Sequence, residues 1–142
     1  MIQLLKKLET LPEIAELCRR VDGGGCPAAV SGLQSVQRAC VGAAVSHAAD
    51  RSALFLCGDE REARELAGNL TALTGETPVM LLSREWQLRS MAVVSREWER
   101  SRLEALHRLS VESPRIIIAT ADALMARTLP PKAASRQESP VL

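Results

Sequence analysis

The stretch Ser31-Gly32-Leu33-Gln34-Ser35 leads from a short apolar run, Ala28-Ala29-Val30, into a helical pattern. In an open parallel sheet, ligands gather at such strand-to-helix turns, and nucleotidases place their phosphate loop there. That loop needs glycines for close backbone approach, a lysine on the terminal phosphates and a Ser or Thr on magnesium. The turn here has one glycine and no lysine, and no lysine occurs between Lys7 and Lys132. A helix N-terminus still attracts an anion. Without the lysine the turn reads as a degenerate nucleotide loop, so no catalytic residue is assigned to it. Asp59-Glu60 follows the apolar run LFLCG, as a magnesium-holding pair would. With Gly58 intervening and a strongly amphipathic pattern after it, the pair is better explained as a helix N-cap with a favourable dipole contact.

A second stretch, Ser83 to Arg100 (SREWQLRSMAVVSREWER), holds both tryptophans and repeats one tetrapeptide. Arginines 84, 89, 96, 100 and 102 beside two indoles suggest a stacking, phosphate-binding surface. Glu85, Glu97, Glu99 and Glu104 interleave with them and cancel the charge, which favours a mixed-charge helix face. Outside the tetrapeptides the 12-residue offset matches almost nothing. The first copy (Arg84, Glu85, Trp86) follows a strand and falls in a loop. The second (Ser95, Arg96, Glu97, Trp98) opens a helix, with Ser95 as its cap and Trp98 turned inward.

The elements that position these residues follow from apolar periodicity. Thr10 to Glu13 resembles a capping box with an early proline. Ile14, Leu17, Cys18 and Val21 then form one helical face that ends at the glycines 23–25, giving a helical arm over residues 1–25. Beyond it, Ala28–Val30, Ala53–Cys57, Val79–Leu82 and Ile116–Ala119 read as strands. The helices between them are Ser35–Ala49 with Val36, Cys40, Ala43 and Ala44 inward, and one opened by Asp59 and closed by Gly75, with Ala63, Leu66, Ala67, Leu70 and Leu73 as its stripe. A third spans Ser95–Ser110 with Trp98, Leu103, Leu106 and Leu109 inward. Thr120 caps a short helix, Ala121 to Arg127, stopped by Pro130-Pro131. Alternating strands and helices specify an α/β domain with a parallel sheet over residues 26–131, and the unbroken run ALFLC indicates a strand covered on both faces. Residues 132–142 are polar, without either period, and read as a linker or tail.

Composition narrows the function classes. The 142 residues include 18 basic and 17 acidic side chains, so bulk attraction to a polyanion is weak and DNA binding by this segment is not expected. Cys18, Cys26, Cys40 and Cys57 are spaced too widely for the close ligand pairs of a zinc site, and neither His47 nor His107 falls in a Cys or carboxylate arrangement suited to catalysis. No metal site is assigned. The thiols read as reduced and mostly buried. The opening MIQLLKKLETLPEI lacks the continuous apolar core of a secretory signal, and no apolar run approaches the ~20 residues of a membrane span. A cytoplasmic protein with no membrane contact is expected.

Four pieces in order, AVSGL, the DE-opened amphipathic helix, REWQLRSMAVVSREWERSRLEAL and IIIATADALMARTLPP, resemble the N-terminal region of the bacterial transcription-repair coupling factor. The resemblance covers about Cys26 to Pro131, and the REW…SREWE signature (Arg84, Glu85, Trp86, Ser95, Arg96, Glu97, Trp98) is its most specific part. It implies a partial helicase-like, RecA-like domain similar to the first domain of UvrB, with a decayed nucleotide site at Ser31, Gly32, Leu33, Gln34 and Ser35. UvrB places a tyrosine-rich hairpin before the last helix of this region. Only residues 83–94 intervene here and the chain has no tyrosine, so the likeness is to the coupling factor. In the full-length family, ATP- and magnesium-dependent motor domains translocate on DNA and displace stalled RNA polymerase, while the UvrB-like region recruits UvrA. For this segment the resemblance implies no cofactor of its own. It implies a non-catalytic scaffold, reaching UvrA and RNA polymerase through the full-length protein and packing against its own motor domains. The alternative from the residues alone is a stand-alone nucleotide-binding α/β protein with an atypical loop at Ser31 to Ser35.

Overall fold

A computed structural model describes residues 2–83, 96–126 and 128. Its elements run α1 (Ile2–Glu9), α2 (Pro12–Asp22), α3 (Ser35–Ala48), β1 (Ala53–Cys57), α4 (Glu60–Thr74), β2 (Val79–Leu81), α5 (Arg96–Val111), β3 (Ile116–Thr120) and α6 (Ala121–Met125). The strands form one parallel sheet in the order β1-β3-β2. The last strand in sequence is therefore the central one, and it carries the most completely apolar run, Ile116-Ile117-Ile118-Ala119. The architecture is an α/β fold with a small three-stranded sheet flanked by helices.

Strand alternation sorts side chains onto two faces. On the first, Phe55 and Cys57 of β1 lie beside Ile116 and Ile118 of β3, under Ala63, Leu66 and Leu70 of α4 and Ala39 and Ala43 of α3. Leu5 of α1 joins this same core at 4% exposure, so the N-terminal helix is packed into it. On the second face, Val79 and Leu81 of β2 and Ala119 of β3 pack under Ala105 of α5 and Ala123 of α6, with Leu106 and Leu109 at the margin. That cover stops short of β1, where Leu54 and Leu56 are 55% and 61% exposed.

Local chemistry sets the helix ends. Asp59 accepts the Glu62 N–H at 2.7 Å and opens α4, the N-cap expected of it. Gly75 closes α4 in the left-handed region, at φ 79°, where a Cβ is strained. Thr10 does not cap α2. Its hydroxyl turns back to the Lys7 carbonyl at the end of α1, and Leu11 sits at the N-cap position with Pro12 following. Thr120 does not cap α6 with its side chain either. Buried at 1% exposure, its Oγ1 accepts the Ser83 N–H and ties the chain after β2 to the end of β3.

Four further expectations are corrected. Ala28–Val30 is not a strand: among the described residues no sheet partner reaches it, and Val30 is 52% exposed. The strand Ala53–Cys57 is covered on one face only, because α5 and α6 cover β2 and β3 and stop short of β1. Val36 and Leu103 point outward, at 54% and 53% exposure, while Ala39 and Ala105 take the inward positions. Small residues at these sites let α3 and α5 approach closely, which apolar periodicity alone does not reveal. Cys57 is buried, Cys18 and Cys40 are half-buried, and Cys26 is exposed. Among the described residues, no helix is long and apolar enough to cross a membrane.

Candidate functional site

The carboxyl end of β1, Cys57-Gly58-Asp59, meets the first turns of α3 and α4. A cleft of about 100 Å³ opens there, lined by Ser35, Arg38, Phe55, Cys57, Glu62 and Leu66, with Leu56 at its edge. Of the loop Ser31 to Ser35, the structure brings only Ser35 to this cleft. Ser31, Gly32 and Gln34 are exposed, and Leu33 is half-buried. Gln34 serves as the N-cap residue of α3, its N–H donating to the Gln37 Oε1 at 2.8 Å.

The anion position of this end is filled from within. Glu62 Oε2 accepts the Gly58 N–H at 2.9 Å, and its Oε1 accepts Arg38 Nη1 at 2.7 Å. The Gly58 hydrogen bond first, and Arg38 second, hold the Glu62 carboxyl below the ordinary carboxylate range. Glu65 accepts the Ser35 hydroxyl, which in a nucleotidase would be free for magnesium. Cys57 sits beneath, and burial, reinforced by Glu62, pushes its thiol above its usual pKa, which disfavours the reactive thiolate. Glu62 therefore engages both the Gly58 N–H and Arg38, the one guanidinium lining the cleft.

A second groove, about 320 Å³, lies past the end of β2 between α4 and α5. Trp98 lines it together with Arg102, whose guanidinium carbon is 5.8 Å from the ring centroid, within cation–π range. Arg102 Nη2 donates to the Ala123 carbonyl at 3.1 Å and approaches that of Ala126 at 3.4 Å, so it fastens α5 to the end of α6. Arg64 in the same groove pairs with Glu60 on its own helix. Trp98 is half-buried at the wall of this groove, and Arg64 and Arg102 beside it are bonded within the protein, although Arg102 Nη1 is buried without a hydrogen-bond partner. Arg84, Glu85, Trp86 and Ser95 lie outside the described residues; Arg96 and Glu97 belong to α5, but their side chains lie outside as well.

Sequence reasoning missed Arg38, Glu62 and Glu65 as site residues, because 24 and 30 positions separate the bonded pairs. It also left His47 without an acidic partner. His47 Nδ1 lies 2.7 Å from Glu9 Oε1, across the junction of α1 and α3. That pair joins the arm to the core and lines neither opening.

The fold and these openings define the class: an α/β protein with a small parallel sheet whose carboxyl end is closed by its own carboxylates. Comparison with known proteins finds no matching family model, no matching curated sequence and no matching solved structure.

Proposed function

We propose that this chain is the N-terminal, UvrB-like piece of a transcription-repair coupling factor, acting in the cytoplasm as a non-catalytic scaffold in nucleotide excision repair. Its partial helicase-like sheet supplies packing surface, while UvrA, RNA polymerase and DNA are engaged by the whole protein, whose motor domains use ATP and magnesium. Of the segments carrying the resemblance, residues 29–33 precede α3, the DE-opened helix is α4, residues 96–106 belong to α5 and residues 116–126 cover β3 and α6, while residues 84–95 lie outside the described residues. The observation that carries a non-catalytic reading is Glu62. Its carboxylate takes both the Gly58 N–H and the Arg38 guanidinium, the two groups at this end of β1 suited to a phosphate oxygen. No lysine between Lys7 and Lys132 adds the cation that a phosphate loop places on the terminal phosphates.

Two measurements test the proposal. Titration of the chain with magnesium-ATP should give no saturable heat. Added in trans to a coupling factor that lacks its N-terminal region, the chain should lower that motor's ATPase rate by interdomain packing. Micromolar ATP binding that is lost on altering Gly32 and Ser35 would overturn the scaffold reading, as would an ATPase rate that the added chain leaves unchanged.

A further inference from the structure

Among the described residues the outer edge of β1 is open, and the geometry points to an acceptor for an extended protein segment added antiparallel to Ala53–Cys57. Ala53 N–H donates to the Arg115 carbonyl on the β3 side. Alternation along the strand then turns the N–H and C=O groups of Leu54 and Leu56 away from β3, toward the free edge. Among the described residues no strand pairs with that side. The side chains of the same two residues project from the uncovered face, at 55% and 61% exposure. The strand ALFLC carries none of the lysines or prolines with which proteins blunt an edge.

The surroundings select the occupant. Arg51 is exposed just before the strand and Asp59 just after it, so the edge has a basic start and an acidic end. An antiparallel segment with a basic residue at its N-terminal end and an acidic one at its C-terminal end matches both poles. Its residues opposite Leu54 and Leu56 lie on the open face and can be branched and apolar. The residue opposite Phe55 points to the other face, beneath α3, where the cleft of about 100 Å³ admits only a small side chain. The nonapeptide Lys-Thr-Ser-Val-Ala-Val-Ser-Thr-Asp has this pattern when its central alanine is set opposite Phe55. This inference does not rest on the coupling-factor reading.

The test uses that nonapeptide, fluorescently labelled, with the whole chain. Anisotropy should rise saturably, and amide exchange at Leu54 and Leu56 should slow when the peptide is present, since those two N–H groups become donors to it. Leu54→Lys and Leu56→Lys alter positions more than half exposed, so the fold tolerates them, and each should weaken binding at least about tenfold. Exchanging the terminal Lys and Asp of the peptide should weaken it similarly, and Arg51→Glu should favour the exchanged peptide. The inference is overturned by a flat anisotropy titration, or by binding that leaves both amides unprotected. It is equally overturned if those amides become protected as the concentration of the chain alone rises, which would make a second copy the occupant.

Discussion

Two glycines in helix interiors provide a comparison in which one substitution should act with opposite signs. Gly68 in α4 has nothing within 4 Å of where a Cβ would stand. Gly42 in α3 lies against β1, and a Cβ there would meet Phe55 Cε1 at 2.3 Å and Cζ at 2.6 Å. Alanine in place of either glycine gains about 0.8–1.0 kcal/mol of helix propensity. At Gly42 that gain is set against overpacking, since the ring must move by about an ångström, and such insertions cost about 1–3 kcal/mol. Gly68→Ala should therefore stabilise by about 1 kcal/mol, and Gly42→Ala should destabilise by up to about 2 kcal/mol. The gap between them, about 1–3 kcal/mol, isolates the Phe55 contact because the propensity gain is common to both. Urea denaturation followed by circular dichroism reads it as opposite shifts of midpoint at an unchanged m-value. For a chain of this size the Tm difference is about 3–5 °C per kcal/mol. Phe55→Leu should cost less in the Gly42→Ala background than alone, because the smaller side chain leaves room for the new methyl. If Gly42→Ala stabilises as much as Gly68→Ala, or if the two sites show no coupling, the close seating of α3 on β1 is wrong.

Leu70 is fully buried at 0% exposure in the core between α4 and the sheet, so Leu70→Ala should cost about 2–5 kcal/mol in urea unfolding. Leu103→Ala, at an exposed position of α5, should stay within about 0.5 kcal/mol in the same assay. Asp59→Ala removes the side-chain cap of α4 and should lower stability by about 0.5–2 kcal/mol, measured as a fall in Tm. Glu62 has a folded-state pKa below its unfolded value, so its contribution is fully present above the ordinary carboxylate range and disappears as pH falls through the folded pKa. Stability measured between about pH 5 and pH 3 should accordingly fall less steeply for Glu62→Gln than for the parent chain.

What was legible in the sequence had local causes. Asp59 and Gly75 bracket α4 because an N-cap carboxylate and a left-handed glycine act within one turn of themselves. The stripe of Ala63, Leu66 and Leu70 marked its buried face, since period 3.6 places those residues together. Strand order was not legible. The run ALFLC has the composition of a doubly covered strand, but whether α5 reaches it depends on β3 taking the place between β1 and β2. The same limit accounts for Ala28–Val30, which has strand composition and, among the described residues, no neighbour to pair with. It accounts for Leu103 as well. The approach of α5 to β2 is set by Ala105, and a small residue gives no signal in a pattern built on large apolar ones.

The site was legible as a deficiency and illegible as a construction. Counting lysines removes the group that a phosphate loop requires, and that argument needs no coordinates. What the structure adds is that the position is occupied as well as unequipped. Glu62 stands on α4, one turn past its capped N-terminus, and Arg38 on α3; their union across the end of β1 depends on two helices packing side by side. A lysine placed in the loop at Leu33 or Gln34 would approach an end whose Arg38 and Gly58 N–H are already bonded to Glu62 and whose Ser35 is held by Glu65. Phosphate oxygens would have to compete with these carboxylates for donors already engaged, and one added ammonium does not free those donors. Two independent physical features at this end therefore disfavour a polyphosphate, the absence of a lysine from the loop and a carboxylate supplied by α4, and only the first can be read without the fold.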